Sequence, residues 1–413
     1  MKTIRMGIFG CNRGMGYADH IMMNNAEIVA VCDKDQRFLN KAKEKLGDSV
    51  AYYSDFEEFF KHDMDAVLLA NYFNEHAPYA VRFLEKGVHV LSECTPAGTM
   101  AECVELVEAA EKSSAFYMIC ENYPFMTFNR EITRVCRGGS LGKFMFAEGE
   151  YNHPGHGRDA NFARIYIPYE KHWRNYLPAT YYSTHALAPL MYATGAEPVR
   201  VTAFPIFAPP TEKIVCSKMN GDRTAIITTL NNDDSVFRFT GCAGFGFEEN
   251  SYRVCGTKGQ VENLRGTGGK ISLNYNWWDK PEDVEKDKNV YLPERNDPDQ
   301  ELIDKAGHGG GDFIVTREFL TCLRENKRPL MDVYFATKMS AVAILSHRSL
   351  MENGQPYDVP DFRKQEDRDK WRDDRSTPFY GPNGELPTIP SGSRPWQPSE
   401  EQLKAYRDGI KDL

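Results

Sequence analysis

Along the first third of the chain, short apolar runs alternate with stretches in which apolar residues recur every three to four positions. The runs at 3–9, 27–32, 65–71, 89–93 and 116–120 are rich in Val, Ile, Leu and aromatic residues, as expected of strands buried on both faces. Between them, 14–23, 36–46, 75–86 and 100–113 carry helical spacing. Thr99-Met100-Ala101-Glu102 opens the last of these as a capping box, and Cys103, Leu106, Val107 and Ala110 continue it as an apolar stripe. Strands regularly separated by helices predict an α/β unit with a doubly wound parallel sheet.

From about 144 to 275 the period changes to two, through FMFAEGEY, VRVTAF, TAIITTL, VFRFTG, RVCGTKGQVENL and ISLNYN. Asn220-Gly221, Asn231-Asn232-Asp233-Asp234 and Gly268-Gly269 punctuate these segments as turns. That pattern predicts a mostly antiparallel open sheet with one covered face. Residues 281–307 are charged and turn-rich and are expected to form an exposed loop; helices follow at 312–325 and 334–352. After Pro360 the chain is rich in Pro, Gly and charge, without a sustained period. The expected organisation is an N-terminal parallel-sheet domain (1–122), an α+β domain (123–362) and a C-terminal arm (363–413).

Composition narrows the class of protein. With 413 residues, 41% of them hydrophobic and 26% charged, the chain can bury sizeable cores without staples. A formal charge of −9 disfavours binding to nucleic acid or to an anionic membrane surface. No apolar run approaches the roughly 20 residues of a membrane span, and MKTIRMGIFG lacks a signal-peptide core. A cytoplasmic protein is expected. The ten cysteines are scattered with no C-x-x-C pair, which fits reduced thiols in apolar surroundings rather than a disulfide framework or a zinc ribbon.

The first strand ends in Gly7-Ile8-Phe9-Gly10-Cys11-Asn12-Arg13-Gly14-Met15-Gly16, where a helix begins. Glycines at such a junction let backbone amides and a helix N-terminus approach a pyrophosphate. Asn12 stands where the second glycine of G-x-G-x-x-G would be, so this turn alone is a weak signal. The second strand strengthens it by ending at Asp33, 23 residues after Gly10. A carboxylate there accepts from ribose hydroxyls and repels a 2′-phosphate, favouring NAD over NADP; the plain alternative is a capping or turn residue. Lys34 weakens that preference.

VLLANYFNEHAPYAVRFLEKGVHVLSE resembles the fourth strand, helix and fifth strand of the glucose–fructose oxidoreductase/inositol dehydrogenase (Gfo/Idh/MocA) family. The parallel-sheet start and the antiparallel second part are similar too, to about Phe362. In that family an E-K-P signature follows the fifth strand, and its lysine assists hydride transfer. Here Ser92-Glu93-Cys94-Thr95-Pro96 has no lysine. SECTPAGTMAECVELVEAAEKS, MICENY, EGEYNHP, HWRNYLPATYYSTHALAPL, HGGGDFIVTREFL and LSHRSLMENGQPYDVPDF together resemble the NAD-dependent glycoside hydrolases of the α-N-acetylgalactosaminidase type, which carry E-x-T and Y-x-T-H-x-L-x-P.

The resemblance implies that Asn12, Arg13, Asp33, His76, Glu93, Cys94 and Asn122 surround NAD beside Gly10 and Gly14, with Phe73 and Asn74 in the same loop. It implies a sugar pocket of Glu121, Tyr151, Arg174, Tyr182 and His185, with His185, Tyr151 and Tyr182 catalytic. His76 has a near-equal alternative as a helix cap, Tyr151 as a strand aromatic, and His185 as a core histidine. His153, His156, His172 and His185 offer imidazoles, but no compact ligand spacing, so no metal is expected. His308-Gly309-Gly310-Gly311-Asp312 lacks the Lys-Ser/Thr of a phosphate loop and is expected to cap the helix at Asp312.

The implied activity is NAD-dependent oxidation of a sugar or glycoside, with two outcomes open. One is redox-neutral glycosidase action: C3 oxidation by NAD with His185 as base, C2 deprotonation by Tyr151 activated by Arg174, elimination, water addition and re-reduction. The other is plain sugar or cyclitol dehydrogenation. A non-catalytic NAD-binding sensor is the alternative outside enzymes. The resemblance also implies a homo-oligomer.

Overall fold

The computed structural model describes residues 3–154, 171–208 and 220–410. The first elements are β1 (Ile4–Phe9), α1 (Cys11–Met23), β2 (Ala26–Cys32), α2 (Gln36–Leu46), β3 (Ala51–Tyr53), α3 (Phe56–Lys61), β4 (Ala66–Leu69), α4 (His76–Glu85), β5 (His89–Ser92), α5 (Met100–Lys112), β6 (Tyr117–Ile119) and α6 (Thr127–Arg137). Then come β7 (Phe144–Asn152), α7 (Thr184–Thr194), β8 (Pro198–Phe207), β9 (Asp222–Asn231), β10 (Val236–Ala243), β11 (Glu249–Gly256), β12 (Gly259–Asn263), β13 (Ile271–Tyr275) and β14 (Lys288–Tyr291). The chain closes with α8 (Gln300–Lys305), α9 (Gly311–Glu325), α10 (Val333–Met351), β15 (Tyr357–Asp358), α11 (Gln365–Trp371) and α12 (Glu400–Ile410).

The chain forms two compact units. The first comprises Met1–Glu131, Pro293–Ser340 and Asp361–Asp373, and the second Ile132–Leu292, Ala341–Pro360 and Asp374–Leu413. The expected cuts at 122 and 362 therefore differ from the packing: two later segments fold into the first unit. The helix α9 explains the first of them, because its apolar face covers α1 and the sheet end. Phe319 meets Phe116 edge-on at 5.5 Å, Phe313 meets His20 at 6.3 Å, and the Ile119 amide donates to Met331 O at 3.2 Å. In the second of them, α11, Arg368 Nη1 donates to Glu111 Oε2 at 2.7 Å and so ties this helix to α5.

In the first unit six parallel strands run β3-β2-β1-β4-β5-β6. Phe9 stands opposite Cys32 on one side and Leu69 on the other. The chain leaving β1 therefore emerges where the strand order reverses, the crevice in which doubly wound sheets bind ligands. The capping box at Thr99 and Glu102 forms as expected, and so does α2, bounded by the Asp35 cap and Gly47. β3 and α3 escape sequence reading because three and six residues are too short to establish a period.

In the second unit nine strands run β14-β13-β12-β11-β7-β10-β9-β8-β15, with β7 and β10 parallel and every other pair antiparallel. Ala147, Gly149 and Tyr151 alternate onto the buried face of β7. The expected loop 281–307 contains β14 and α8, both short and charged. Beyond Asp373, the arm lies on its own unit. Phe379 is buried edge-on against Tyr181, His347 Nε2–H donates to Pro390 O at 2.8 Å, and Asp222 receives the Ser393 amide at 2.7 Å and hydroxyl at 2.6 Å. Its proline-rich spacing hid the short helix α11 and the later α12.

Candidate functional site

The glycine turn of the first unit is built by close approach. Gly10 has φ +96°, and a Cβ there would meet the Ala70 carbonyl oxygen at 2.3 Å; at Gly14 it would meet Ile8 Cγ2 at 2.4 Å. Only glycine admits both the backbone angle and the contact. Helix α1 begins at Cys11, earlier than its pattern suggested, with no side-chain cap and no acidic residue in its first turn. Its amide end is therefore electropositive. Asn12 is exposed on that turn.

Asp33 closes the turn. Its Oδ2 accepts the Cys11 amide at 2.7 Å and its Oδ1 the Asp35 amide at 2.8 Å. Burial pushes its carboxyl upward, against the pull of these two amides. Lys34 lies over the Tyr72 ring, 3.8 Å from its centroid.

Beyond the fourth strand, Phe73 is buried and His76 opens α4. His76 does not cap that helix: it is 1% exposed and its Nδ1 pairs with Thr95 O at 2.9 Å, so it holds the Glu93–Pro96 loop. Burial lowers its pKa. Several buried polar atoms here find no hydrogen-bond partner among the described residues: both amide atoms of Asn71, Asn74 Oδ1, His76 Nε2 and Asn122 Oδ1. All follow the C-terminal ends of β4 and β6, and such atoms call for a polar ligand.

Arg13 is held by three groups: Nε donates to Glu93 Oε1 at 2.7 Å, and Nη2 to Tyr17 Oη at 2.9 Å and Asp312 Oδ1 at 3.1 Å. Asp312 also receives Asn122 Nδ2 at 2.6 Å and pairs with His308 Nδ1 at 2.9 Å. Burial pushes the Asp312 carboxyl upward, but His308, Arg13 and Asn122 outweigh it and hold it well below the usual carboxylate range. The glycine run sets this up. Helix α9 starts at Gly311, one residue before the expected Asp312, and a Cβ on Gly311 would meet Asn122 O at 2.4 Å. Asp312 is the member sequence reading missed; its signal was HGGGD, read only as a cap. Where the family's lysine would stand, the Cys94 thiol donates to buried Glu121 at 3.0 Å.

In the second unit, Tyr151, Tyr182 and His185 meet. Tyr182 Oη lies 3.0 Å from His185 Nε2. The Tyr151 ring stands edge-on to His185 at 4.8 Å and to Tyr182 at 5.8 Å, and stacks on His153 at 5.6 Å. Two glycines make room: a Cβ on Gly149 would meet Ala186 O at 2.2 Å, and one on Gly241 would meet Ala179 O at 1.7 Å. The backbone of 179–186 can thus lie directly on β7 and β10. The Arg174 guanidinium covers the Trp173 ring at 4.6 Å. His156 and Cys216 lie outside the described residues; the nine described cysteines are free thiols.

Among the described residues no helix is long and apolar enough to cross a membrane. Residues 4–120 match the family model "Oxidoreductase family, NAD-binding Rossmann fold", and residues 218–372 match "Glycosyl hydrolase 109, C-terminal domain". A glycosyl hydrolase family 109 protein of Saccharopolyspora erythraea is 27% identical over 94% of this chain and 87% of its own. One of Shewanella pealeana is 25% identical over 88% and 86%. Among solved structures, levoglucosan dehydrogenase in complex with NADH and L-sorbose shares the fold at TM-score 0.72 and 16% identity, covering 87% of this chain and 100% of that one. The cofactor is NAD, and the α1 N-terminus, Asp33 and the buried Asn71, Asn74, His76 and Asn122 atoms without a partner among the described residues fit it. The chain is thus similar to the NAD-binding Gfo/Idh/MocA oxidoreductases over its first part and to the glycosyl hydrolase 109 proteins over its later part.

Proposed function

We propose that this enzyme acts on a sugar glycoside and cleaves its glycosidic bond with no net redox change. The observation that carries the reading is the Tyr182–His185 pair at 3.0 Å with Tyr151 edge-on to both. NAD, when bound, supplies reversible acceptance of hydride from a sugar carbon. On this reading Gly10, Asn12, Gly14, Asp33, Phe73, Asn74, His76 and Asn122 hold it, and Arg13, Glu93 and Cys94 shape the floor.

The chain's own residues move protons. Tyr182 Oη takes the proton of the C3 hydroxyl while passing its own to His185 Nε2. Once C3 is a ketone, the C2 proton is acidified by delocalisation into an enolate, and the Tyr151 phenolate removes it. The enolate expels the C1 oxygen, which leaves with the proton that Tyr151 has just taken from C2. Water then adds its hydroxyl to C1 and gives its proton through Tyr151 to C2, and C3 is reduced again as His185 returns its proton through Tyr182 to the C3 oxygen. Elimination of this kind avoids the oxocarbenium state that needs two opposed carboxylates. Glu121 and Arg174 would contact the sugar. Support for the sugar class comes from relatives named for glycosyl hydrolysis and for levoglucosan oxidation.

Aryl glycosides turned over in D₂O test this. Phenol release without accumulating NADH, with deuterium at C2 of the released sugar, is the expected result. Stoichiometric NADH and no C2 deuterium would make the enzyme a net dehydrogenase.

A further inference from the structure

Helix α7 carries a proline at its sixth position, Pro189. In an uninterrupted α-helix the amide of residue 189 donates to the carbonyl of residue 185. Proline has no amide hydrogen, so the His185 carbonyl is released from the helix ladder. A buried carbonyl left this way needs another donor, and β11 delivers one: Tyr252 Oη donates to His185 O at 2.6 Å.

Tyr252 is itself fixed. It is 1% exposed, its amide donates to Asn263 Oδ1 at 2.6 Å, and Asn263 Nδ2 donates to Asn250 O at 2.9 Å. The sheet therefore holds the backbone of His185 through one hydroxyl, where an ordinary helix would hold it through its own next turn. A side chain anchored to a rigid sheet is placed more reproducibly than one in the first turn of a helix, where ends fray. The same residue's imidazole must reach Tyr182 Oη at 3.0 Å.

We propose that Pro189 and Tyr252 are positioning residues: the proline opens the His185 carbonyl and the tyrosine clamps it, setting the imidazole for proton transfer with Tyr182. The inference rests on the function proposed above. Tyr252→Phe should lower kcat on an aryl glycoside about tenfold per folded molecule, leave KM and NAD affinity within about twofold, and move the pH–rate limb of the Tyr182–His185 pair. Pro189→Ala restores a backbone amide able to serve the same carbonyl. Adding it to Tyr252→Phe should recover most of the rate, the pH limb and the wild-type His185 imidazole NMR signals. Wild-type kcat and imidazole signals in Tyr252→Phe would overturn the proposal. So would a loss that Pro189→Ala fails to recover while the melting temperature falls in step. Full turnover in His185→Ala would instead remove the proposed function, whatever Tyr252→Phe does.

Discussion

The Cys11 amide donates to Asp33 Oδ2 at 2.7 Å, so the carboxylate delivered by the second strand is also the clasp of the glycine turn. Its readings as turn residue and as ribose acceptor are compatible, because each oxygen retains a second lone pair. Asp33→Ala should weaken NAD binding by about 1–3 kcal/mol and lower the melting temperature as well, since it strands two backbone amides. Calorimetry and a thermal melt on one sample read both effects. Because burial raises this carboxyl, NAD affinity should also decline on acidification, starting above the ordinary aspartate value of about 4.

Asp312 is shifted the other way, to a low pKa. A carboxyl held low in the folded state adds stability above its unfolded value of about 4 and loses it as pH falls toward the folded value. Asp312→Asn should cost about 2 kcal/mol at pH 7, discounted for the part-exposed Arg13. The gap from wild type should narrow below about pH 4. Urea unfolding at pH 7 and pH 3.5 measures it; equal gaps at both would show that the charge contributes nothing.

Tyr182→Phe removes one hydroxyl from a half-buried ring and should keep the melting temperature near wild type while lowering turnover by about 10²-fold, the scale of a lost acid–base group. His185→Ala should match that kinetic loss and also melt earlier, because His185 is 6% exposed and its removal leaves a cavity. A variant that only melts earlier, with full rate per folded molecule, would mark His185 as a core residue.

Burial lowers His347 to about 4, although its bond to Pro390 O pulls the other way. A histidine kept neutral in the folded state costs stability once the unfolded chain protonates, below about 6.5, and the loss continues until pH reaches about 4. The drop should approach 3 kcal/mol. His347→Phe should flatten the stability profile between pH 6.5 and 4, and limited proteolysis should cut its arm near Pro390 sooner at pH 7.

Elements with a sustained period and a terminal signal were legible: α2 between Asp35 and Gly47, and α5 behind its capping box. The positions of Asp33 and Asn122 just beyond strand ends were legible too, where an open parallel sheet directs its ligands. Contacts between distant segments were not. Nothing near Asp312 announces Arg13, 299 positions earlier, and nothing near Pro189 announces Tyr252. Gly149 and Gly241 were the available clue, since a glycine inside an alternating strand marks a close backbone approach. Why 293–340 folds with the first unit is a property of the faces α9 presents, visible only once α1 is in place.

That discontinuity sets the order in which a nascent chain can finish. When the ribosome has made the six parallel strands, the cover of α1, the Asp312 partner of Arg13 and the Met331 carbonyl over β6 are still some 190 to 210 codons away. Until α9 emerges, the α1 surface that Phe313 meets and the sheet end that Phe319 covers remain bare. A fragment ending at residue 122 should therefore aggregate or need a chaperone, and the cofactor cradle matures only after most of the second unit has been translated.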